Sequence, residues 1–591
     1  MKRNTLIPAL LICLMAISTT SCKKSFLDAK VPGVASGEQL NNVTNTEALV
    51  IAAYAGLGNG YWNASWTSDY VWGSIRSDDA YKGGSSVSDQ GQLNDLEQYN
   101  LVTAAVGGFQ NNTWIGVYNN ISRINLALRQ LDNITDADYI VSGVTNAKKV
   151  RQAEMRFLRG HFMFVLKRLF NYPVWIEHTA TQEEIRTTSN RQFTSDQLWD
   201  KIAEDFQFAI DNLPPTQPQV GRANKWAATA YLAKVRLYQA YKQDENHNVV
   251  SITPERLQEV VTLTDAVINS GKYSLVDIYG KKWTYGYENN SESIFAVQYS
   301  FDDGTTFGRI DLEHGLNYNM APAYGCCSFH PASQNLVNAF KTDMVTGLPK
   351  FETFNNTEMK NPADFESPVN TVDPRLDHTV GVISHPFKYD VGFVAQPSWA
   401  RSPAVYGSFL TMKEVQLPST NAIRKAGAFF GTAQNWDILQ YNDVLLMKAE
   451  ALIELGQQEL ARPLINQIRE RAEASEAWTT YPAGHPKAGQ GFSSYKIAQY
   501  DGVNLPWTKE NARKALQWER RLEFAMESPR FFDLVRWGIA AETINAYLTV
   551  EKTRRNHLSS AVFTKGRDEY LPIPQAQIDL VDGLYTQNPK Y

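Results

Sequence analysis

Apolar residues recur at steps of three and four along most of this chain, and that spacing decides its fold class before composition is considered. Trp114, Val117, Tyr118, Ile121, Ile124, Leu128 and Leu131 form one stripe along one helix. Leu198, Ile202, Phe206, Ala209 and Leu213 repeat the pattern, with Ser195 placed as N-cap and Pro214-Pro215 as the stop. Further helices are expected at about 45–57, 147–170, 223–242, 254–270, 438–456, 458–473, 508–527 and 529–546. They fall largely into pairs joined by short turns. The second members are rich in small residues, Ala227, Ala228, Ala230 and Ala233 in one and Ala449 and Ala451 in another, so that helix backbones can approach closely. The expected fold is mostly α, a tetratricopeptide-like scaffold of stacked helix pairs whose repeats are degenerate, with minor β structure.

Two stretches break the helical spacing. Between Gly271 and Gln434 the chain turns to Gly, Pro, Asn and aromatic residues, and Ser293–Ser300 alternates like a strand. A second loop-like, aromatic region covers 58–110. Irregular segments of this length inside a compact protein usually carry function.

The N-terminus reads as an export signal. Lys2 and Arg3 precede an apolar run from Leu6 to Ile17, followed by Ser18, Thr19, Thr20 and Ser21. The run is too short to span a bilayer. Small residues before Cys22 resemble a lipobox, with Thr19 where Leu is common, so Cys22 is the expected lipidation site; an ordinary signal with an incidental cysteine is the alternative. No later stretch is apolar enough for a span, so lipid on Cys22 would supply the membrane attachment. Of the four cysteines, only the neighbours Cys326 and Cys327 remain after Cys13 and Cys22 are set aside. Two reduced thiols are the default for them, a vicinal disulfide the minority reading.

The formal net charge is −5 and there is no block of Lys or Arg, which argues against nucleic acid as a partner. Enzymatic patterns are missing too: no HExxH or other metal-ligand spacing, no GxSxG, no P-loop. No catalytic residue, metal or cofactor is expected. A glycosidase pair among the 62 acidic residues cannot be singled out by spacing.

What the loops do carry is aromatic residues beside polar ones. Tyr61, Trp62, Trp66, Tyr70 and Trp72 crowd one Gly/Asn/Ser-rich segment, with Asp78, Asp79, Tyr81 and Lys82 just beyond. Aromatic planes stack on the C–H face of a sugar, and carboxylates or guanidinium groups pair with its hydroxyls. Five aromatics between Gly60 and Gly73 are therefore expected to leave an exposed, ligand-facing patch. The central insertion offers a second set, with Trp283, Tyr318, Tyr324 and Trp399 as ligand-binding candidates, and Tyr285, Tyr287, Asn319, Arg401 and Tyr406 nearby.

The run from Trp518 to Gly538, WERRLEFAMESPRFFDLVRWG, closely resembles the signature of SusD/RagB outer-membrane proteins. Further marks of that family occur in order: Phe26-Leu27-Asp28, Ala153-Glu154 through Arg159 to Tyr172-Pro173, Gly221-Arg222-Ala223, Tyr441-Asn442-Asp443 and Leu571-Pro572-Ile573-Pro574. The resemblance implies a SusD-like fold with four tetratricopeptide-like units, ligand loops on one side, and a place as lid on a TonB-dependent, SusC-like barrel at the cell surface. It also implies that the ligand, an oligosaccharide, is held between the early loop region and the central one. By this reading residues 1–21 are the signal peptide, 22–225 an N-terminal SusD-like region and 226–591 a C-terminal SusD/RagB region, packed as one unit. A peptide-binding RagB-like uptake subunit is the first alternative; a tetratricopeptide-like assembly protein and a hydrolase are the others. The charged residues of the signature itself are expected to lock helices together rather than to catalyse.

Overall fold

The computed structural model describes residues 41–591 apart from 302, 303 and 305–307. The expectations for Met1–Ser21, Cys22 and Phe26-Leu27-Asp28 lie outside the described residues. Eight scaffold helices follow one another: α1 (Val43–Ala55), α2 (Ala104–Asn133), α3 (Ala147–Phe170), α4 (Ser195–Asn212), α5 (Lys225–Ala240), α6 (Pro254–Asn269), α7 (Tyr441–Glu454) and α8 (Gln458–Ala474). Each packs on the next. The alanines explain how α5 and α7 fit between two neighbours. Ala227, Ala228, Ala230 and Ala233 on α5, and Ala449 and Ala451 on α7, are fully buried, and α5 touches both α4 and α6 while α7 touches both α6 and α8. A bulkier side chain on either flank would push the stack apart. Three more helices, α9 (Lys509–Glu523), α10 (Pro529–Arg536) and α11 (Ala540–Arg554), close the C-terminal end. The largest apolar core takes in side chains from Val50 to Ile573.

The helices depart from the spacing-based reading where a tertiary partner or a positive φ intervenes. The helix expected from 438 starts at Tyr441, because Trp436–Gln440 is a strand paired antiparallel with Ser293–Val297. That strand pair joins the two ends of the central insertion, so α6 and α7 remain neighbours although the insertion lies between them in sequence. Ser195 is not the cap of α4; Thr194 is, in a capping box with Gln197. The helix expected over 529–546 is two helices, divided at Gly538 with φ +72°. A Cβ there would meet the Val249 backbone nitrogen at 3.0 Å, so the break suits glycine in both conformation and space. Ser528, directly before Pro529, makes no capping bond to α10 and sits at φ +84°.

The central insertion has its own cores. Tyr318, Tyr324, Phe387, Trp399, Met412 and Phe430 belong to one of them. Its strands form only short two-stranded pairs, such as the hairpin of Pro386–Phe387 with Asp390–Val394. Cys326 and Cys327 are joined as a vicinal disulfide, which replaces the reduced thiols expected of them. Among the described residues no helix is long and apolar enough to cross a membrane.

Candidate functional site

The early loop region and the central insertion are zipped together. Tyr81 N donates to Pro331 O at 2.9 Å, His330 N to Lys82 O at 3.0 Å, Ser333 N to Asp79 O at 2.9 Å and Gly84 N to Ser328 O at 3.0 Å. The pairing demands glycine at its outer end. Gly83 has φ +80°, and a Cβ on it would stand 2.3 Å from Ser328 O. Beyond the zipper the chain turns through Ser85–Gln90, and this turn is held from beneath by Lys82. Its buried Nζ donates to Ser86 O at 2.8 Å and to Asp89 O, and faces the rings of Phe329 and Tyr406. Burial brings the Lys82 ammonium down to about 8, against the pull of Glu97 and Asp89.

At the surface of this junction three segments meet. Asp89 accepts from Ser85 N and Ser85 Oγ, both at 2.9 Å, and pairs with Arg401 at 3.2 Å. Arg401 also reaches Cys327 O at 3.4 Å, and Ser402 Oγ donates to Ser85 O at 2.6 Å. The Arg401 and Asp89 side chains keep 32% and 23% of their exposure, so the pair is reachable from solvent. In the segments that meet here, Ser85, Val87 and Ser88 beside Asp89 are exposed, and Cys326, next to Cys327, is half-buried. Trp399 O, two residues before Arg401, accepts from Met320 N at 2.9 Å and from Ser328 Oγ at 3.1 Å, and half-buried Phe393 lies 4.5 Å from the Trp399 ring. A partly exposed carboxylate can accept from one hydroxyl of a small polar ligand while the guanidinium beside it donates to another.

Comparison with known proteins agrees with this arrangement of loops on a helical scaffold. Residues 291–591 match the model described as the SusD family, and residues 25–237 match one described as "Starch-binding associating with outer membrane". The chain belongs to the SusD family. It is 24% identical over 446 residues to SusD-like protein P25 of Formosa agariphila, covering 73% of this chain and 71% of that one. A SusD homolog from Bacteroides thetaiotaomicron superposes with a TM-score of 0.68 at 19% identity, covering 93% and 98% of the two chains. Surface glycan-binding protein A of the same organism, solved in complex with laminarihexaose, superposes with a TM-score of 0.62 at 19% identity, covering 92% and 99%.

In this SusD-family chain most of the aromatics expected to face ligand are interior. Trp66, Tyr70 and Trp72 are buried, and Tyr61 and Trp62 are half-buried, so none of the five forms the exposed patch that at least some of them are expected to give. The reason is Glu313, from the central insertion. Its carboxylate accepts from Trp66 N at 3.0 Å, from Thr67 N and Ser68 N at 2.9 Å, and from the Ser65 and Ser68 hydroxyls. The Ser-rich turn that looked like a surface loop wraps this buried anion. Gly60 lies so close to Glu313 that it has no room for a Cβ. The indoles are tied inward as well, Trp66 to Gly56 O at 3.1 Å and Trp72 to Ser65 O at 2.9 Å.

Asp78, Asp79 and Tyr81 are scaffold rather than ligand contacts. Arg530 and Arg521 flank Asp78 at 2.9 and 3.0 Å, and Arg521 holds Asp79 at 3.0 Å. Against the burial that opposes ionisation, these two guanidiniums keep Asp78 at about 2. Burial pushes Asp79 above the usual carboxylate range despite Arg521. Tyr81 donates to buried Glu551 and accepts from Gln334 N at 3.0 Å. Trp283 packs on Trp436 with ring centroids 5.3 Å apart and is buried. Tyr318, Tyr324 and Trp399 are buried in the core of the insertion, Tyr324 donating to Gln416 O at 2.6 Å.

The signature run does lock helices, and it reaches further than two of them. Glu519 and Glu523 on α9 pair with Arg375 of the central insertion at 2.6 and 3.1 Å; Arg469 on α8 holds Glu519 at 3.1 Å. Arg520 joins Asp443 on α7 to Asp533 on α10, both at 2.8 Å. Through Arg521 and Arg530 the same run holds the early loop. Sequence reasoning placed Arg401 near the ligand region but missed Asp89; the available signal was the Gly-Gly-Ser-Ser turn directly after Lys82.

Proposed function

We propose that this chain is a cell-surface lipoprotein that captures oligosaccharides at the junction of the early loop and the central insertion, without cleaving them, and delivers them to a SusC-like, TonB-dependent outer-membrane transporter. The observation that carries the reading is the solvent-reachable Arg401–Asp89 pair, set among serine hydroxyls where the early loop is hydrogen-bonded to the central insertion. Sugar hydroxyls are satisfied by such paired donors and acceptors, and a rigid frame lowers the ordering cost of binding. A protein of the same fold solved with laminarihexaose supports the ligand class, and the description of the family model supports the location.

Calorimetric titration of oligosaccharides selected on a glycan array tests this directly. Losing a charged hydrogen-bonding partner of ~1.5–3 kcal/mol, Arg401→Ala should bind roughly tenfold to a hundredfold more weakly, while the glycan is recovered uncleaved. Full affinity in the folded variant, or a wild type that ignores glycans and binds peptide digests, would remove the reading. The anchor is tested separately. Wild-type protein should label with palmitate, fractionate with outer membrane and co-purify with a barrel partner, and Cys22→Ala should do none of these; unmodified wild type in the soluble periplasm would refute it.

A further inference from the structure

Most aromatic side chains of this protein are buried or half-buried, and among the described residues only Tyr285 and Tyr287, at 37% and 42%, are more than a third exposed. They do not stand alone. The ring of Tyr287 lies 5.6 Å from that of Trp478, at 65°, and Trp478 lies 5.1 Å from Tyr389, at 60°. Three segments distant in sequence supply these rings: residues 285–287 and the tip of the Pro386–Val394 hairpin, both in the central insertion, and the turn Ser475–Trp478 that follows α8. None of these rings touches Arg401 or Asp89, whose partners are Ser85 and Cys327 O.

We propose that Tyr287, Trp478 and Tyr389, with Tyr285 at the edge, form a second carbohydrate platform that stacks pyranose rings of a long glycan whose other part occupies the junction. The inference rests on the capture of glycans proposed above. Its basis here is geometric. The platform is held in place before any ligand arrives: Tyr285 N donates to Gln416 Oε1 at 3.2 Å, Tyr287 N to Thr284 O at 3.2 Å, and Asn290 Nδ2 to Tyr287 O at 2.9 Å. Tyr389, at φ +67° on the hairpin tip, is fixed by His378 Nδ1, 2.9 Å from its hydroxyl. Tyr285 and Tyr287 are thus exposed, and Trp478 and Tyr389 half-buried beside them, on a backbone that is not free to fold them away. Lys281, paired with Asp277 at 2.7 Å, sits 5.6 Å over the Tyr287 ring and adds a polar rim.

The core of a protein-docking patch is enriched in Met and Arg as well as aromatic side chains. Here none of the exposed Val, Ile, Leu or Met residues falls in 271–297, 386–394 or 474–481. Aromatic faces without aliphatic neighbours, ringed by charged and amide groups, match the C–H face and hydroxyl edge of a sugar better than the surface of a protein.

The test uses the full chain in native gels cast with laminarin, with starch or with xylan, alongside calorimetry with the hexasaccharide of whichever polymer retards the wild type. The Trp478→Ala/Tyr287→Ala double variant should lose polysaccharide affinity by roughly tenfold, the scale of a lost stacking contact, and keep its hexasaccharide affinity. The Trp478→Phe/Tyr287→Phe variant should retain wild-type retardation, which separates lost stacking from damaged folding. Equal retardation of wild type and the alanine variant would overturn the platform alone, as would equal loss in the phenylalanine variant. A wild type retarded by none of the three polymers would overturn the platform, whereas the capture reading would then stand or fall on the glycan array.

Discussion

Glu523→Ala should destabilise this protein by ~3–5 kcal/mol, the range seen when one partner of a buried ion pair is removed. The side chain is fully buried on α9 and serves four groups: Arg375 at 3.1 Å, Arg471, Lys282 at 3.6 Å and the Asn442 amide at 2.6 Å. Burial alone would raise its pKa, but Arg471, Lys282 and Arg375 hold it well below the usual carboxylate range. Removing the anion leaves those cations facing one another in a dry interior. Arg375 retains Asp373 and Glu519, and Arg471 retains Glu292 at 2.9 Å. Lys282 is left with Glu292 at 3.7 Å, so it bears most of the loss. Urea unfolding at neutral pH measures the difference; a change below ~1 kcal/mol would place the pair in the class of weak surface bridges. The sign with pH also follows. A carboxylate whose pKa is depressed by folding stabilises above its unfolded value and stops doing so as pH falls through the folded one, so wild type and variant should converge only in strong acid.

Gly83→Val should act on stability and binding together. At φ +80° a β-branched residue is strained by ~1–3 kcal/mol, and its Cβ would stand 2.3 Å from Ser328 O and 2.7 Å from Phe329 Cα, which are backbone atoms and cannot swing aside. The zipper between Asp79–Gly84 and Ser328–Ser333 must open, and Ser85–Asp89 then loses its register with Arg401. Gly143→Val is the control, because Gly143 has φ +76° but nothing within 4 Å of a Cβ, so it reports the conformational cost alone. Melting temperature should fall further for Gly83→Val than for Gly143→Val, and only the former should lose glycan binding. Equal melting temperatures with full binding in both would show that the zipper does not hold the site.

The amino-acid sequence by itself determined the helices and their stacking. Spacing of three and four placed α3, α6 and α8 within a residue or two of their observed bounds, and the alanines of α5 and α7 announced helices packed on both sides. The signature from Trp518 to Gly538 named the family and, through its alternation of charges, its own structural role. These are properties that neighbours along the chain can write, because a helical face is built from residues three and four apart. The exposure of the aromatics was decided elsewhere. Tyr61, Trp62, Trp66, Tyr70 and Trp72 sit in a segment whose Gly, Asn and Ser content suits an exposed loop equally well. What draws it inward is Glu313, some 245 positions away, whose carboxylate needs those serine hydroxyls and backbone N–H groups. The Arg401–Asp89 pair spans 312 positions, and Tyr287, Tyr389 and Trp478 meet from three separate segments. Burial of a loop residue depends on which distant group satisfies it, and local spacing carries no record of that partner; only the folded chain supplies it.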